Sequence, residues 1–539
     1  MARYAYQPFP YRTAPELAGG VARRWPVVIV GAGPIGLSAA IDLALHEIPC
    51  LLLDDNDVVS RGSRAICWSK RTLEIFDRLG VAERMVKKGV TWKVGRLYHR
   101  DREVYAFDLL PEAGHKNPAF INLQQYYVEQ FLVERCFEFP ELIDLRFKNK
   151  VTAVRQTNDG VEAQVETPDG SYGIECDYLI ACDGAKSSIR SMLGVEFKSH
   201  IFPEQFLITD VEMKADFPSE RWFWFEPTFH NGQSALLHKQ PDDIYRIDLQ
   251  LTPQADPKEE TKPENVIPRI KAAIGDRPFE IDWVSLYTFQ CGRIDRFLHD
   301  RIIFAGDSAH VVSPFGARGG NGGIHDVDNL VWKLAAVIKG GAPNALLESY
   351  NAERVHGADE NIRNSSHSTN FMTPKNSFEH MLRDEVLALA ETYPFARRLV
   401  NSGRLSVPCS LAGFALQSLD DPGMTGPMTP GTACLDAPVR DATGHPGWLL
   451  DHLGGEFVVM SFGMPASVRQ DVRSIVIASE PVAGVETLCD ETGLIAQRYG
   501  GHNGAAYLIR PDQHVAARFA HPTADKIAIA LARARAEVT

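Results

Sequence analysis

The sequence predicts an α/β protein in three parts: a Rossmann-like dinucleotide-binding domain made from two chain segments, an antiparallel sheet inserted between them, and a small α/β domain at the C-terminal end. Three observations carry that expectation. Residues 25–54 read as an apolar run, a glycine-rich turn, a helical stretch, a second apolar run and an acid. From about 202 to 290, short apolar and aromatic runs alternate with turns. After PGMTGPMTPGT at 422–432, four strand-like runs and a last helix follow.

The chain of 539 residues exceeds what one hydrophobic core supports. Its net charge of −13 gives no reason to expect nucleic acid or an anionic membrane as partner. The nine cysteines are scattered without a CxxC, which argues against a zinc or disulfide framework and fits a reducing cytoplasm. The first 20 residues lack the apolar centre of a signal peptide, and no run approaches the roughly 18 apolar residues of a membrane span.

Taken in order, residues 1–24 form an arm rich in tyrosine and proline. In GAGPIG (31–36), Gly31 permits the tight turn out of the first strand, Gly33 lets backbone approach a pyrophosphate, and Gly36 lets the helix pack close. Pro34 and Ile35 open that helix, whose free N–H groups favour negative charge. Asp54 stands 23 residues beyond Gly31, where an acid bonds a ribose hydroxyl. Asp55-Asn56-Asp57 follows it. Arg61, Arg64, Lys70 and Arg71 precede an amphipathic helix over 72–79; a solvated surface and a reach back to the dinucleotide are equally consistent with them.

Residues 119–136 read as an extended piece and a helix, and 152–165 as a hairpin turning at NDG. A strand then ends at Asp183-Gly184, and Ser187, Ser188 and Arg190 enter a helix. In the inserted sheet, period-two alternation puts Trp222 and Trp224 on one face and Phe223 and Phe225 on the other. The WxWxxP outline of residues 222–227 is read as packing or a pocket wall. His238, Tyr245, Arg246 and Asp248 also lie on strands of this sheet and are candidates to meet a phenol hydroxyl or a carboxylate. Strand 301–307 returns to the first domain, followed by SPFGARGGNGG and a helix beginning near Gly322. Residues 345–400 are largely helical in pattern.

Three motifs together carry a resemblance: GAGPIG with Asp54, CDGAKSSIR (182–190) and AGDSAHVVSPFGARGGNGGIHDVDNLVWKL (305–334). They resemble the class A flavin-dependent aromatic monooxygenases, the para-hydroxybenzoate hydroxylase family. The C-terminal segment looks like the thioredoxin-like domain of a longer branch, which includes 3-(3-hydroxyphenyl)propionate hydroxylases and phenol 2-monooxygenases. The organisation this implies is an arm (1–24), an FAD-binding domain in two parts (25–200 and 291–375), a substrate sheet domain (201–290), a helical connection (376–424) and a thioredoxin-like domain (425–539).

The resemblance implies FAD as cofactor, with NADH or NADPH as a transient reductant, and hydroxylation of a phenolic ring by O2 through a C4a-hydroperoxyflavin. Gly31, Gly33, Pro34, Ile35, Gly36, Asp54 and Asp55 would serve the ADP half. Arg64, Asp183 and Gly184 would lie near the phosphates, and Gln125, Gly306 and Asp307 near the ribityl chain. Pro314, Gly316, Gly319, Gly320 and Asn321 would cradle the ring, where Gly322 and Gly323 also keep side chains away. Helix N–H groups there would stabilise charge at the pyrimidine edge.

Substrate contacts are expected from Trp222, Trp224, His238, Tyr245, Arg246, Pro314 and Phe315; relatives often have a second proline where Ser313 stands. His310 is expected to be structural, no metal site is expected, and no catalytic side chain is singled out. Acids at 54, 55 and 57 would repel a 2′-phosphate, which favours NADH. A homodimer is expected. A halogenase, an epoxidase or Baeyer–Villiger-type oxygenase, and a non-catalytic flavoprotein are the alternatives.

Overall fold

The structure is a computed structural model that describes residues 4–19, 23–62, 64–230, 232–400, 407–468 and 472–537. Its first sheet explains why one domain needs two chain segments. Arg24–Val30 lies between Gly170–Ala181 and Cys50–Leu53, all parallel, and Ile143–Arg146 extends the second side. On the other side Ile302–Phe304, more than 120 residues downstream, pairs in parallel with Leu179–Ala181. Val27, Val28, Ile29 and all of Cys50–Leu53 are fully buried, as continuous apolar strands must be when both faces are covered. The helices Pro34–Leu45 and Gly319–Ile338 pack together over this sheet.

A second sheet has eight strands, in the spatial order His310–Val311, Glu280–Arg293, Lys198–Glu212, Ile244–Leu251, Ala235–Lys239, Arg221–Phe225, Val94–His99 and Arg102–Asp108. The last two come from the stretch that sequence alone assigns to the FAD-binding domain. They pair instead with the substrate sheet, Val94–His99 running parallel to Arg221–Phe225. A local pattern reveals such a hairpin but not the distant edge it joins.

The two faces of this sheet differ. On one, Leu207, Val211, Tyr245, Ile247 and Leu249 pack under Val266, Ile270 and Ile274 of the helix Pro263–Ile274. Burying each of those helix side chains stabilises the pair by roughly 1.5–3 kcal/mol. On the other, Phe206, Phe223 and Phe289 meet Phe315, and a polar group lies beside them.

The C-terminal domain has a seven-stranded sheet. Val458–Phe462, Arg473–Ala478 and Glu486–Cys489 are parallel, and the hairpin Ala506–Ile509/Val515–Phe519 adds to the free side of the first. Ile527, Ala530, Leu531 and Ala534 of the helix Ala524–Ala534 cover it. All nine cysteines are free thiols. No helix among the described residues is long and apolar enough to cross a membrane.

The N-terminal arm is tied to the first domain. Phe9 stacks on Phe147 with centroids 4.6 Å apart, its N–H donates to Asp57 O, and Glu16 accepts from Arg146 at 2.8 Å. The Tyr6 hydroxyl accepts from Gly62 N at 3.1 Å.

Candidate active site

The glycine-rich turn is shaped by close approach. Gly31 has φ +106°, and a Cβ there would lie 2.5 Å from the Cys182 carbonyl oxygen. A Cβ on Gly36 would lie 1.9 Å from the Gly31 oxygen. Gly33 is different: a Cβ would meet nothing within 4 Å, so the N-terminus of Pro34–Leu45 opens onto free space. Pro34 begins the helix at a position whose N–H has no partner inside the helix. Asp54 accepts from Ala32 N at 2.5 Å and Asn56 N at 2.8 Å, yet burial still pushes its pKa upward. Asp55 is exposed.

Ile35 draws the motifs together. A Cβ on Gly306 or Gly323 would come within 2.9 or 2.6 Å of its side chain. Asp183 accepts from Ser188 Oγ at 3.1 Å and Ile189 N at 3.0 Å through one oxygen, while its buried Oδ1 has no partner. Arg190 joins this loop to the next by donating to Ser308 O at 2.9 Å. Asp307 keeps open surface between the buried Gly306 and Ser308. Burial raises its pKa against the pull of His310 and Arg64.

His310 donates to Asp326 at 2.7 Å, and Asp326 also takes Gly306 N at 2.9 Å and Arg354 Nε at 2.7 Å. Through Nε2 the His310 ring fixes the turn, while its Nδ1 is buried without a partner. Burial opposes ionisation of Asp326, but His310 and Arg354 win and hold it down at about 2. Gln125 accepts from Ala65 N at 3.1 Å and donates to Glu129 at 2.7 Å, and Glu129 accepts from Ser60 N. Gln125 thus holds the loop that carries the exposed Arg64.

In the second glycine-rich loop Pro314 is exposed, Gly316 has φ +102° and Ala317 has φ +52°. The helix begins at Gly319, three residues before the expected start. Glycine's poor helix propensity concealed that first turn from the sequence. Asn321 accepts from Ser69 N at 3.0 Å and donates to Cys67 O at 2.9 Å and Ala317 O at 2.6 Å. A Cβ on Gly320 would approach Trp68 at 3.3 Å.

Gly322 and Gly323 face inward, against Asn361 and His310 and against Ile35 and Gly306. Their smallness serves packing rather than clearance for a ring. Phe315 is buried against Phe206 and Phe289, and Ser313 bonds Ser365 and Thr369.

Across from this loop stands the polar face of the substrate sheet. Cross-strand register aligns Arg221 with His238 and His238 with Arg246, and Asp248 lies two residues further along the same face. Arg246 donates to Asp210 at 3.0 Å and to Arg64 O at 3.1 Å, so this face looks onto the FAD-binding domain. Trp222, Trp224 and Tyr245 lie on the opposite face. Trp222 bonds Glu220, Trp224 stacks on Tyr98 at 5.3 Å, and Tyr245 bonds Ala215 O. Strand alternation turns them away from Arg246. Arg221, not singled out from the sequence, lies on the Arg246 face; its signal was the same alternation, one residue before Trp222. Arg71, read as precedent to a helix, is inside Lys70–Arg78 and buried against Asp328 and Asp512 O.

Residues 24–365 match the FAD binding domain family, and the chain belongs to it. It is similar to the 3-(3-hydroxy-phenyl)propionate/3-hydroxycinnamic acid hydroxylase of Klebsiella pneumoniae (strain 342), 26% identical over 532 residues and covering 94% of each chain. A flavin-dependent monooxygenase of Mycobacteroides abscessus is 30% identical over 469 residues, 83% of this chain and 90% of that one.

Two solved structures share the fold at 22% identity, each covering 96% of this chain and 100% of its own. They are the flavin-dependent monooxygenase PieE with FAD and substrate, TM-score 0.77, and aklavinone-11 hydroxylase with FAD and aklavinone, TM-score 0.75. The residues here suit FAD: open space at Gly33, the unpartnered Oδ1 of Asp183 and the exposed Asp307.

Proposed function

We infer that this chain is an FAD-dependent monooxygenase that hydroxylates a phenolic ring with O2 and a nicotinamide reductant. The observation that carries the substrate side is the row Arg221, His238, Arg246 and Asp248, directed at the FAD-binding domain beside Phe206, Phe289 and Phe315. Apolar walls with a few convergent polar groups are what a phenol requires.

Bound FAD supplies the redox chemistry, accepting hydride from the nicotinamide and activating O2. The protein's part is placement. Gly31, Gly33, Pro34, Ile35, Gly36 and Asp54 would hold the ADP half, and Asp183, Gly184, Gly306, Asp307 and Gln125 the middle. The helix that begins at Gly319 and Gly320 would present its positive end to anionic charge at the pyrimidine edge. Pro314 and Gly316 would flank the ring. Phe315 excludes water from its neighbourhood.

Asp55 is exposed and Asp57 pairs with Lys148 at 2.7 Å, so a 2′-phosphate beside them meets carboxylates; this supports NADH over NADPH. The parallel centre and flanking hairpin of the C-terminal domain support a thioredoxin-like reading, with the absence of CxxC leaving it a structural or dimer-forming module. A homodimer in the cytoplasm completes the proposal.

A panel of phenols and hydroxyphenyl acids, scored by NADH consumption with product analysis, tests it. Phenol-dependent consumption with hydroxylated product is expected. Halide-dependent product, or no consumption with any phenol, would sink it.

A further inference from the structure

The row on the substrate sheet is unusual in how little of it is paired. Arg246 has Asp210 and the Arg64 carbonyl. The guanidinium of Arg221 has no hydrogen bond or ion pair within the described residues, and neither has the carboxylate of Asp248, whose Oδ1 is buried. The Nδ1 of His238, a residue only 4% exposed, is also buried without a partner. An unsatisfied buried polar group costs roughly 1–3 kcal/mol, and two of them beside an unpaired guanidinium are retained only where something else completes them. Arg221 and Asp248 are each only partly buried and lie within electrostatic reach of one another. Cys67, within electrostatic reach of both, joins them to the flavin loop, because its carbonyl takes the Asn321 amide.

We propose that Asp248 is the base that takes the proton of the substrate's phenol and that Arg221 holds the phenolate so formed. This rests on the aromatic-hydroxylase function above. In the step the phenol O–H bond breaks, a carboxyl O–H bond forms on Asp248, and the electron pair stays on the phenolate oxygen facing Arg221. Charge balance favours it. Arg221 and Arg246 with Asp210 and ionised Asp248 sum to zero, and moving one proton within the site leaves the sum unchanged. A ligand bearing a permanent carboxylate would instead add net charge to a poorly solvated site.

The groups facing Asp248 are Arg246 on its own strand, Asp210 and His238 on the two neighbouring strands, and Arg221 one strand beyond His238. Burial, opposed by Arg246, lifts the Asp248 carboxyl to about 6, a range suited to a base at neutral pH. Burial and both arginines keep His238 well below its ordinary value, so it is neutral there and adds no charge.

The test uses the FAD-loaded full chain, with the neutral probe 3-ethylphenol and the acid probe 3-(3-hydroxyphenyl)propionate. Wild type is expected to bind either probe at neutral pH with a phenolate difference spectrum. Its kcat/KM should fall about tenfold per unit below about pH 6. Asp248→Asn should retain FAD and its visible spectrum, lose the phenolate signal and the acid limb, and slow kcat about 100-fold. Arg221→Met should weaken both probes alike.

Asp248→Asn with an unchanged pH profile and phenolate signal overturns the assignment. So does an Arg221→Met that weakens only the acid probe, which would make Arg221 a carboxylate receptor. Should a variant not fold, a wild-type profile without an acid limb near pH 6 overturns it equally. If no phenol stimulates NADH oxidation by wild type, the reaction class itself falls; if wild type hydroxylates and Asp248→Asn matches it, only this assignment does.

Discussion

Two charged clusters lie buried in this molecule, and they are built on opposite terms. One joins the C-terminal domain to the FAD-binding domain. Glu353 accepts from Arg510 at 2.8 and 3.0 Å, from Lys333 at 2.7 Å and from Asn329 at 2.7 Å, while Asp512 takes the other side of Arg510 at 2.6 and 3.0 Å. All of these side chains are essentially inaccessible to solvent. The other cluster, Arg221, His238 and Asp248, leaves its polar atoms open. A closed set of charges holds two domains in one register; the open set is the one proposed to meet a ligand. Pairing, not burial, separates structure from function here.

The contrast breaks most visibly at Glu353. Glu353→Gln leaves Arg510 and Lys333 facing each other without their shared anion and should cost about 3–5 kcal/mol in denaturant unfolding. The pH sign follows. Burial alone would raise the Glu353 pKa, but Arg510 and Lys333 overrule it and hold it well below the ordinary range. A depressed carboxyl contributes stability at neutral pH that is lost on acidification below about 4. Wild type should show that acid loss, and Glu353→Gln should lack it.

Next in size is the cofactor turn. Gly36→Val drives a branched side chain onto the Gly31 oxygen and should lower FAD affinity at least about tenfold, read as flavin absorbance per protein after gel filtration. A milder test lies in the cavity of about 400 Å³ between these domains, which Asp42 lines from the helix Pro34–Leu45. Burial lifts Asp42 to about 7. A raised carboxyl costs stability as pH climbs from about 4 through 7. Asp42→Asn should therefore stabilise by about 1–3 kcal/mol in mildly alkaline buffer and much less in mildly acidic buffer. An equal gain at both would show that Asp42 carries no charge penalty. The smallest effect belongs to the open cluster: Arg221→Met should shift unfolding by under about 1 kcal/mol. A loss like that of Glu353→Gln would place Arg221 among the structural charges after all.

The same division explains what the sequence could disclose. GAGPIG, the strand before it and Asp54 are local, and their pattern was legible within one βαβ unit. Of the glycines, Gly36 answers to a contact inside that unit, whereas Gly31 answers to Cys182 at the end of the adjoining strand and Gly33 to open space. Period-two alternation correctly parted Trp222 and Trp224 from Phe223 and Phe225. It could not tell which face looks toward the cofactor, since that depends on the helix Pro263–Ile274 choosing one side. Arg221 was hidden for this reason. Glu353, Lys333, Arg510 and Asp512 are spread over some 180 residues of chain, and no spacing rule links them. The strands Val94–His99 and Arg102–Asp108 were misplaced because their sheet partner, Arg221–Phe225, is more than 100 residues away.

The helix Gly319–Ile338 carries both conditions on one rod. Lys333 is clamped by Glu353, and Gly319 begins the helix at the end proposed to face the flavin ring. Fourteen residues at 1.5 Å each make a lever arm of about 21 Å, so one degree of tilt about the clamp displaces the tip by about 0.4 Å. Productive geometry at a reacting centre tolerates about 0.5 Å. The remote C-terminal domain is thus the fulcrum against which the reactive end of the molecule is aimed.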